Sequence, residues 1–257
     1  MAAEQRDATS RAFKDHFSDR AAGYAAHRPT YPSVLVDALA RVAPGHALAW
    51  DAGCGSGQFS VLLAERFARV IATDASAEQL ANAVPNARVE YRAAPAESSG
   101  LPDASADLVA AAQAAHWFDL DAFYGEVRRV ARPGAVLALV SYGLMRVDAR
   151  VTPVVRAFHS GVLGGYWPSE RAHVDAEYRS LPFPFDEMEM PRLEIATTWN
   201  YADLTGYIET WSAVRALVKM EGVGPLDAFR RALADAWGDE RSMRPVRFPL
   251  ALRVGRV

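Results

Sequence analysis

Two carboxylates and the glycine-rich segment between them have the residue types and spacing of a nucleotide-binding site. Asp51 begins the run Asp51-Ala-Gly-Cys-Gly-Ser-Gly57, and Asp74 follows farther along the chain. Glycines allow a tight turn and a close approach of the backbone to a ligand. A carboxylate at Asp74 is able to accept hydrogen bonds from a ribose diol. The pattern therefore predicts a ligand that contains a nucleoside.

Several cofactors share this kind of site, and NAD is the main alternative. The third glycine of the dinucleotide spacing G-x-G-x-x-G would fall at Gln58, and no Gly-Lys-Ser/Thr follows, which excludes a P-loop. The carboxylate of Asp51 would repel a pyrophosphate, but it suits a ligand that carries an ammonium and a sulfonium. These features favour S-adenosylmethionine over NAD.

An alternation of strands and helices must position these residues. Five β-like runs alternate with helical stretches, which is typical of a parallel sheet, and they cover residues 47–51, 70–74, 88–92, 107–112 and 135–142. The glycine-rich run follows the first strand directly, and Asp74 ends the second. Because open α/β sheets bind ligands at the carboxyl ends of their strands, we expect Asp51 and Asp74 to face that edge.

Capping residues predict where the helices of this half begin. The predicted helices cover residues 9–18, 33–42, 58–67, 76–84 and 120–131. Ser33 is the expected cap of the second helix and Asp119 of the last. Ser76 and Gln79 have the spacing of a capping box. A Pro133-Gly134 stop follows the last helix.

The second half of the chain is less regular. It predicts helices at 153–163, 171–180, 203–211 and 225–237 and strands at 193–198 and 246–254. Thr152 is the expected cap of the first of these helices, with Pro153 in its first turn. The two strands would complete the sheet, and the helices would lie over its ligand-binding edge.

The predicted fold class is α/β, a Rossmann-like, seven-stranded, mostly parallel sheet with helices on both faces and a helical cap from the C-terminal half. We expect one domain over residues 1–257. Its cofactor-binding core covers about 45–145. A helical acceptor-site region with a late strand covers about 151–243, and the final strand covers 246–254.

Composition limits the partners of the protein. The net charge is −3, so no global positive field draws the chain to nucleic acid or to anionic lipid, and we expect a small-molecule partner. Residues 1–9 lack the apolar core of a signal peptide. Cys54 is the lone cysteine, and no cluster has metal-ligand spacing. We therefore expect a cytoplasmic, metal-free protein without a membrane span. Because lysine occurs only at Lys14 and Lys219, the arginine bias indicates a GC-rich, bacterial genome.

These motifs resemble those of the class I S-adenosylmethionine-dependent methyltransferases, in the branch often called type 11. The run from Asp51 to Gly57 is similar to the first motif of the family, and Asp74 to the second. The stretches 101–109 and 129–134 are similar to the segments that lead into the fourth and fifth strands. The resemblance covers about 17–142 and implies methyl transfer from S-adenosylmethionine, with S-adenosylhomocysteine as the product.

A narrower resemblance is to the trans-aconitate methyltransferase-like group. It is carried by the segments 24–32, 113–119 and 210–213. Members of that group methylate small molecules, and the named example esterifies a carboxylate. The resemblance implies a small acceptor, with methylation on a carboxylate oxygen, although related folds change substrates by changing loops.

Within this family resemblance the site residues divide into a cofactor set and an acceptor set. Asp51 and the glycine loop would hold the amino-acid end of the cofactor and Asp74 the ribose, while Ala96 and Glu97 would border the adenine. The full cofactor set is Asp51, Gly53, Cys54, Gly55, Gln58, Asp74, Ala75, Ala96, Glu97 and Gln113. The acceptor set is Tyr31, Trp117, Tyr142, Trp211 and Arg215.

The catalytic candidates are His116, Arg28 and Tyr24. His116 lies just past the fourth strand and would orient or deprotonate the acceptor. The alternative is a loop histidine with a local hydrogen bond. Arg28, which precedes a proline, is either a carboxylate ligand or a surface residue that fixes a turn.

Two other functions remain open on sequence alone. One is an NAD-type oxidoreductase on the same topology, which would prefer reduced nicotinamide cofactor to S-adenosylhomocysteine. The other is a non-catalytic module that binds S-adenosylmethionine but releases no homocysteine product with any acceptor.

Overall fold

The structure is a computed structural model, and it describes residues 29–257. The helix predicted at 9–18 and the site residues Tyr24 and Arg28 lie outside the described residues.

The first half alternates strands and helices as predicted. Its strands are β1 (Leu48–Ala52), β2 (Arg69–Asp74), β3 (Val89–Ala93), β4 (Ala106–Ala112) and β5 (Ala131–Tyr142). Its helices are α1 (Ser33–Val42), α2 (Gln58–Leu63), α3 (Ala77–Ala81) and α4 (Leu120–Val130), and a 3₁₀ turn (Ala115–Trp117) follows β4. Among the described residues, each predicted element of this half is present; the helix at 33–42 has the predicted ends, and the ends of the others are shifted.

The second half combines helices with three more strands. Its elements are α5 (Val151–Arg156), a π-helix (Ala157–Val162), α6 (Arg171–Asp175), β6 (Asp186–Met188), β7 (Glu194–Trp199), α7 (Tyr201–Glu209), α8 (Ser212–Glu221), α9 (Gly224–Trp237) and β8 (Arg244–Arg256). The prediction missed β6, which has three residues, and α8. The sheet therefore has eight strands among the described residues, one more than predicted.

The sheet order confirms the Rossmann-like fold. The strands run in the order β3-β2-β1-β4-β5-β8-β6, and β7 also pairs with β8. Strands β1 to β5 are mutually parallel, whereas β8 is antiparallel to β5 and to both β6 and β7. From β1 the next strands, β2 and β3, are added on one side, and β4 and β5 are then added on the other side. Ligands of open α/β sheets bind at such a reversal, which here lies between the carboxyl ends of β1 and β4.

Two apolar clusters cover the two faces of the sheet. Alternate residues of a strand point to opposite faces, so Ala49 belongs to one cluster and Trp50 to the other. The first cluster packs α1, α2 and the C-terminal helices against the sheet. The second includes Phe123 and Tyr124 of α4, with Tyr178 from the segment after α6.

The structure confirms two predicted caps and corrects two others. The side chains of Ser76 and Asp119 accept hydrogen bonds from the third residue of their helices, as predicted. Ser33 is not a cap, because Pro32 occupies the cap position and Ser33 is already helical. Thr152 is also not a cap, because α5 begins one residue earlier and the carboxylate of Asp148 accepts its first N–H groups.

Two predicted helices differ in form. The helix predicted at 153–163 changes from α to π geometry at Ala157. The helix predicted at 171–180 ends at Asp175, since Glu177 and Tyr178 adopt φ values of 55° and 60°, which a right-handed helix does not tolerate. Helix α4 ends at Val130, and β5 begins at once, before the predicted stop.

Candidate active site

The glycine loop after β1 has the left-handed backbone that its glycines permit. The φ values are 68° at Gly53, 55° at Gly55 and 80° at Gly57. The backbone N–H groups of Gly53 and Cys54 both donate to the carbonyl oxygen of Thr73, at 2.8 and 2.9 Å. These bonds tie the loop to the carboxyl end of β2 and fix it at the sheet reversal.

Asp74 joins the loop from the neighbouring strand. One oxygen of its carboxylate accepts the backbone N–H of Gly55 at 2.8 Å, and the other accepts that of Ser76 at 2.8 Å. Both oxygens are therefore held in place, and each keeps a further lone pair for a hydroxyl donor. The exposed Ala75 follows directly. The predicted meeting of the glycine loop with Asp74 is present in the structure.

Asp51 lies deeper than predicted, since it is fully buried in β1. Ser60 of α2 donates its hydroxyl to Oδ2 at 2.6 Å, whereas Oδ1 has no hydrogen-bond partner among the described residues. Burial raises the pKa of Asp51 to about 7, the bond from Ser60 opposes the rise, and the charge of Asp74 adds to it. A buried carboxylate with an unpaired oxygen is costly unless a ligand donates to it.

The end of β4 closes the site on the other side of the reversal. Gln113 follows β4 with a φ of 55°, which is uncommon for a residue other than glycine and often marks a functional site. Its side chain donates to the carbonyl oxygen of Tyr142 at 3.0 Å, so the ends of β4 and β5 are joined. A Cβ atom on Gly53 would lie 2.6 Å from Cβ of Ala114, so the loop packs directly against this segment.

The remaining predicted cofactor residues surround the same edge. Gln58 begins α2, and Ala96 is buried in the second cluster. Glu97 accepts the backbone N–H of Asp119 at 2.9 Å, which links the segment after β3 to the start of α4. Burial raises the pKa of the Cys54 thiol, and the charges of Asp51 and Asp74 raise it further, so the thiol is neutral and unsuited to nucleophilic attack.

His116 lies in the 3₁₀ turn that follows this segment. Its Nδ1 is 2.8 Å from the hydroxyl oxygen of Tyr178, and the two rings are 5.8 Å apart. The ring of Trp117 lies 4.8 Å from that of His116. Both predicted residues are half-buried and adjacent to the glycine loop through Ala114.

The acceptor candidates form part of a chain of aromatic rings. Tyr31 and Tyr142 lie 6.0 Å apart and are almost fully buried. Phe248 joins Tyr142 to Tyr207, which in turn contacts Trp211. From Tyr142 to Trp211, successive ring centroids are 5.4 to 5.9 Å apart.

Arg215 lies one turn beyond Trp211 at the exposed surface of α8, where it donates weakly to the carbonyl oxygen of Thr210. The structure connects Tyr31, Tyr142 and Trp211 through this chain of rings, whereas Trp117 lies beside His116 and Arg215 lies on the exposed surface beyond Trp211.

Comparison with known proteins identifies the family. A family model described as a methyltransferase domain matches residues 50–139. A Dictyostelium discoideum protein named as a methyltransferase is 34% identical over 251 residues, which cover 93% of each chain. This chain belongs to the methyltransferase family.

A solved structure with higher sequence identity supports the methyltransferase fold. It is named as a type II methyltransferase from Anaeromyxobacter dehalogenans, and it is 51% identical, with a TM-score of 0.85 over 89% of this chain and 97% of that one. A malonyl-[acyl-carrier protein] O-methyltransferase of Dechloromonas aromatica is 40% identical over 112 residues, or 42% of this chain and 41% of its own. Family membership excludes the NAD-type oxidoreductase.

S-Adenosylmethionine is the cofactor of this methyltransferase, and the described residues fit it. The unpaired Oδ1 of Asp51 suits an ammonium, and at Gly55 the nearest atom to an added Cβ is 3.8 Å away, so the backbone there is open to close approach. Asp74 retains acceptor capacity for a diol at the edge of the sheet.

Sequence reasoning missed two residues of the methyltransferase that long-range contacts reveal. Tyr178 contacts His116 from 62 positions away along the chain. His159, in the π-helix, is buried between Trp167 and Trp211. Burial, with a smaller effect of the Arg171 charge, lowers the pKa of His159 to about 4. A regular helix was predicted around His159. The local sequence gives no signal for the contact of Tyr178 with His116 or for the contacts of His159 with the two tryptophans.

The side-chain clusters and helices of residues 29–257 bear on partners. No group of three or more His, Cys, Asp or Glu side chains in that range is placed to hold a metal ion, and metal independence stays a prediction. None of the helices in the same range is long and apolar enough to cross a membrane.

The methyltransferase also has a groove that shares no residue with the predicted site. It has a volume of about 740 Å³ and runs along the outer face of α5, between Arg146 and Arg156. The glycine loop, Asp51 and Asp74 lie elsewhere, at the sheet reversal between β1 and β4.

Proposed function

We propose that this methyltransferase transfers a methyl group to a small-molecule acceptor, with its cofactor held by Asp51, the glycine loop and Asp74. The observation that carries the proposal is the fully buried carboxylate of Asp51, whose Oδ1 has no partner among the described residues. A charge in that position is stable only when a cation pairs with it. The ammonium of the methionine end is such a cation.

The chain's own residues then act mainly by positioning. When bound, S-adenosylmethionine supplies an electrophilic methyl group on a sulfonium. Asp74 would fix the ribose, because both of its oxygens are already oriented by backbone N–H groups. Ala96 and Glu97 would border the adenine. Holding the acceptor atom about 3–3.5 Å from the methyl carbon, with water excluded, supplies much of the acceleration in reactions of this kind.

The proposed acceptor bears a carboxylate and is methylated on oxygen. A carboxylate oxygen forms the bond to the methyl carbon, the electrons of the carbon–sulfur bond pass to sulfur, and no proton moves. Support comes from the trans-aconitate-like segments of the sequence and from the partial similarity to an O-methyltransferase named for a malonyl carrier protein. Arg215, with Arg28, would bind the carboxylate through the planar fork of its guanidinium.

S-Adenosylhomocysteine is expected to raise the melting temperature by roughly 5–10 °C at a hundredfold excess over its Kd. A ligand that binds only the folded state adds about 2.7 kcal/mol at that excess, and about 1 kcal/mol corresponds to about 2–4 °C in a chain of this length. Differential scanning fluorimetry measures the shift. Adenosine, which lacks the amino-acid end opposite Asp51, is the matched ligand and should shift the melting temperature less. A shift with NADH but none with millimolar S-adenosylhomocysteine would contradict the proposal.

Carboxylic acids are expected to yield methyl esters when the enzyme is screened against carboxylic acids, phenols and amines. Mass spectrometry detects the added methyl group, and loss of that group in mild base identifies an ester. The carboxylate proposal fails if only phenols or amines are methylated, while the cofactor assignment stands.

The same assay tests Arg215. Arg215→Ala should lower kcat/KM about 10- to 100-fold, since a hydrogen bond to a charged group contributes about 1.5–3 kcal/mol. Lys219→Ala is the control, because Lys219 is an exposed cation one turn farther along α8. Equal activity in the two variants would remove Arg215 from the acceptor site.

A further inference from the structure

Ser60 is the only described hydrogen-bond donor to the buried carboxylate of Asp51. Both residues are fully buried, and the hydroxyl of Ser60 donates to Oδ2 at 2.6 Å. Ser60 lies in the first turn of α2, nine positions beyond Asp51, so the glycine loop between them brings the two side chains together. The other oxygen, Oδ1, has no partner among the described residues. The protein therefore uses one oxygen of this carboxylate and leaves the other.

The bond from Ser60 fixes the rotation of the Asp51 carboxylate. The last torsion of an aspartate side chain is broad and nearly twofold, so a carboxylate without a directional partner has no preferred orientation. A hydroxyl has one proton, and Ser60 gives that proton to Oδ2. Serines in helices often donate instead to a carbonyl oxygen of the preceding turn. Because Ser60 donates to Asp51, the carboxylate is held with Oδ1 as its open position.

Ser60 is also the one described group that stabilises the negative charge of Asp51. Burial raises the pKa of Asp51 and the charge of Asp74 raises it further, whereas the bond from Ser60 lowers it. Two more titratable groups interact with Asp51, the thiol of Cys54 and the phenol of Tyr91. Burial raises the pKa of both, that of Tyr91 to about 12, so both are neutral. The hydroxyl of Ser60 is therefore the support that the fold gives this anion before a ligand binds.

We propose that Ser60 is a positioning residue for the cofactor, because its hydroxyl holds Oδ2 of Asp51, stabilises the carboxylate anion and leaves Oδ1 to pair with the ammonium of S-adenosylmethionine. The proposal rests on the proposed function for the place where the ammonium binds. It deepens that function, because it gives the carboxylate a fixed orientation before the cofactor binds. Ser60 acts through Asp51, since its one hydroxyl proton is already donated there.

The test compares variants of Ser60 with the wild type between pH 6 and pH 9. Ser60→Ala removes only the hydroxyl, and Ser60→Cys replaces it with a weaker donor of similar size. Ser99→Ala is the matched control, because Ser99 is buried and its hydroxyl donates to the carboxylate of Glu126 at 2.5 Å. Isothermal titration calorimetry gives the Kd for S-adenosylhomocysteine. Carbon-13 spectra of the carboxyl groups follow the titration of Asp51 without ligand, and Asp51→Asn identifies its signal.

Ser60→Ala is expected to raise the midpoint of the Asp51 titration by about one to two pH units, which is the shift that a hydrogen bond to a charged group produces. Its Kd should therefore exceed that of the wild type about 10- to 100-fold at pH 6 and about twofold or less at pH 9, where both carboxylates are ionised. Comparison at equal pH cancels the titration of the ligand itself. Ser60→Cys should fall between the two proteins, and Ser99→Ala should match the wild type at each pH.

A Kd ratio between Ser60→Ala and the wild type that is the same at pH 6 and pH 9 would overturn the inference, because a merely structural loss does not follow the ionisation of Asp51. An unchanged midpoint of the Asp51 titration would overturn it as well, and Ser60→Cys gives the same comparison if the alanine variant does not fold. Absence of S-adenosylhomocysteine binding in the wild-type protein would instead count against the proposed function, because the carboxyl titration is read without ligand.

Discussion

S-Adenosylhomocysteine is expected to bind about tenfold more tightly for each unit of pH between about pH 5 and pH 7, and to reach constant affinity above that range. Burial holds the pKa of Asp51 at about 7 in the free protein, against the bond from Ser60. The ligand's ammonium pairs with the ionised carboxylate only. Below pH 7 each binding event must therefore release one proton, which sets the tenfold slope. Isothermal titration calorimetry in buffers of different ionisation enthalpy measures both affinity and proton release.

The same pKa shift makes the free protein less stable as the pH rises, whereas it makes ligand binding tighter. The pKa of an aspartate in an unfolded chain is about 3.9, so the raised value in the fold favours the protonated form. This contribution is complete below about pH 4 and is lost as the pH rises through about 7. The loss amounts to about 4 kcal/mol at about 1.4 kcal/mol per pKa unit. The free protein is therefore destabilised at neutral pH by a charge that its ligand requires.

Asp51→Asn separates the two effects. Because the amide is neutral, the variant should melt at a higher temperature than the wild type at pH 8 without ligand. It should bind S-adenosylhomocysteine about 10- to 100-fold more weakly, by about 1.5–3 kcal/mol for the lost charged partner, and without the pH slope. Asp121→Asn, at an exposed carboxylate in α4, is the control and should alter neither property. Wild-type affinity and slope in Asp51→Asn would show that the ammonium binds elsewhere.

The cofactor edge was predictable because its geometry is encoded locally. Left-handed backbone at Gly53, Gly55 and Gly57 requires glycine, and the sequence supplies it. The carboxyl ends of neighbouring parallel strands meet at one edge, so Asp74 had to reach the loop that follows β1. The caps at Ser76 and Asp119 are also local, since each side chain reaches only three residues ahead.

Contacts between distant segments were not predictable in the same way. The pairing of Tyr178 with His116 joins α6's end to the turn after β4, and no periodicity in either segment encodes it. At the start of α5, Thr152 was the expected cap, but the carboxylate of Asp148 accepts the N–H groups of Arg150 and Val151, and both residue types suit a helix start. The depth of Asp51 was also missed, since a strand end is buried only when other elements cover it.

Gly53→Ala is expected to destabilise the protein by about 2–5 kcal/mol, whereas Gly55→Ala should cost only about 1–2 kcal/mol. Both glycines have positive φ, so both substitutions carry the left-handed backbone penalty of about 1–2 kcal/mol. Only at Gly53 does an added Cβ meet a fixed neighbour, Cβ of Ala114 at 2.6 Å, with the ring of Phe118 at 3.0 Å. Overpacking of this kind adds about 1–3 kcal/mol.

The difference between the two variants isolates the contact between the cofactor loop and the turn that carries His116. At Gly55 the nearest atom to an added Cβ is 3.8 Å away, at the end of the Gln79 side chain, which leaves room for the methyl group. Urea denaturation at pH 8 measures both free energies of unfolding. Because Ala114 cannot swing away as a long side chain would, relief of the clash requires the loop and the turn to separate. Gly53→Ala should therefore also weaken S-adenosylhomocysteine binding, and equal stability of the two variants would show that the loop does not pack against this turn.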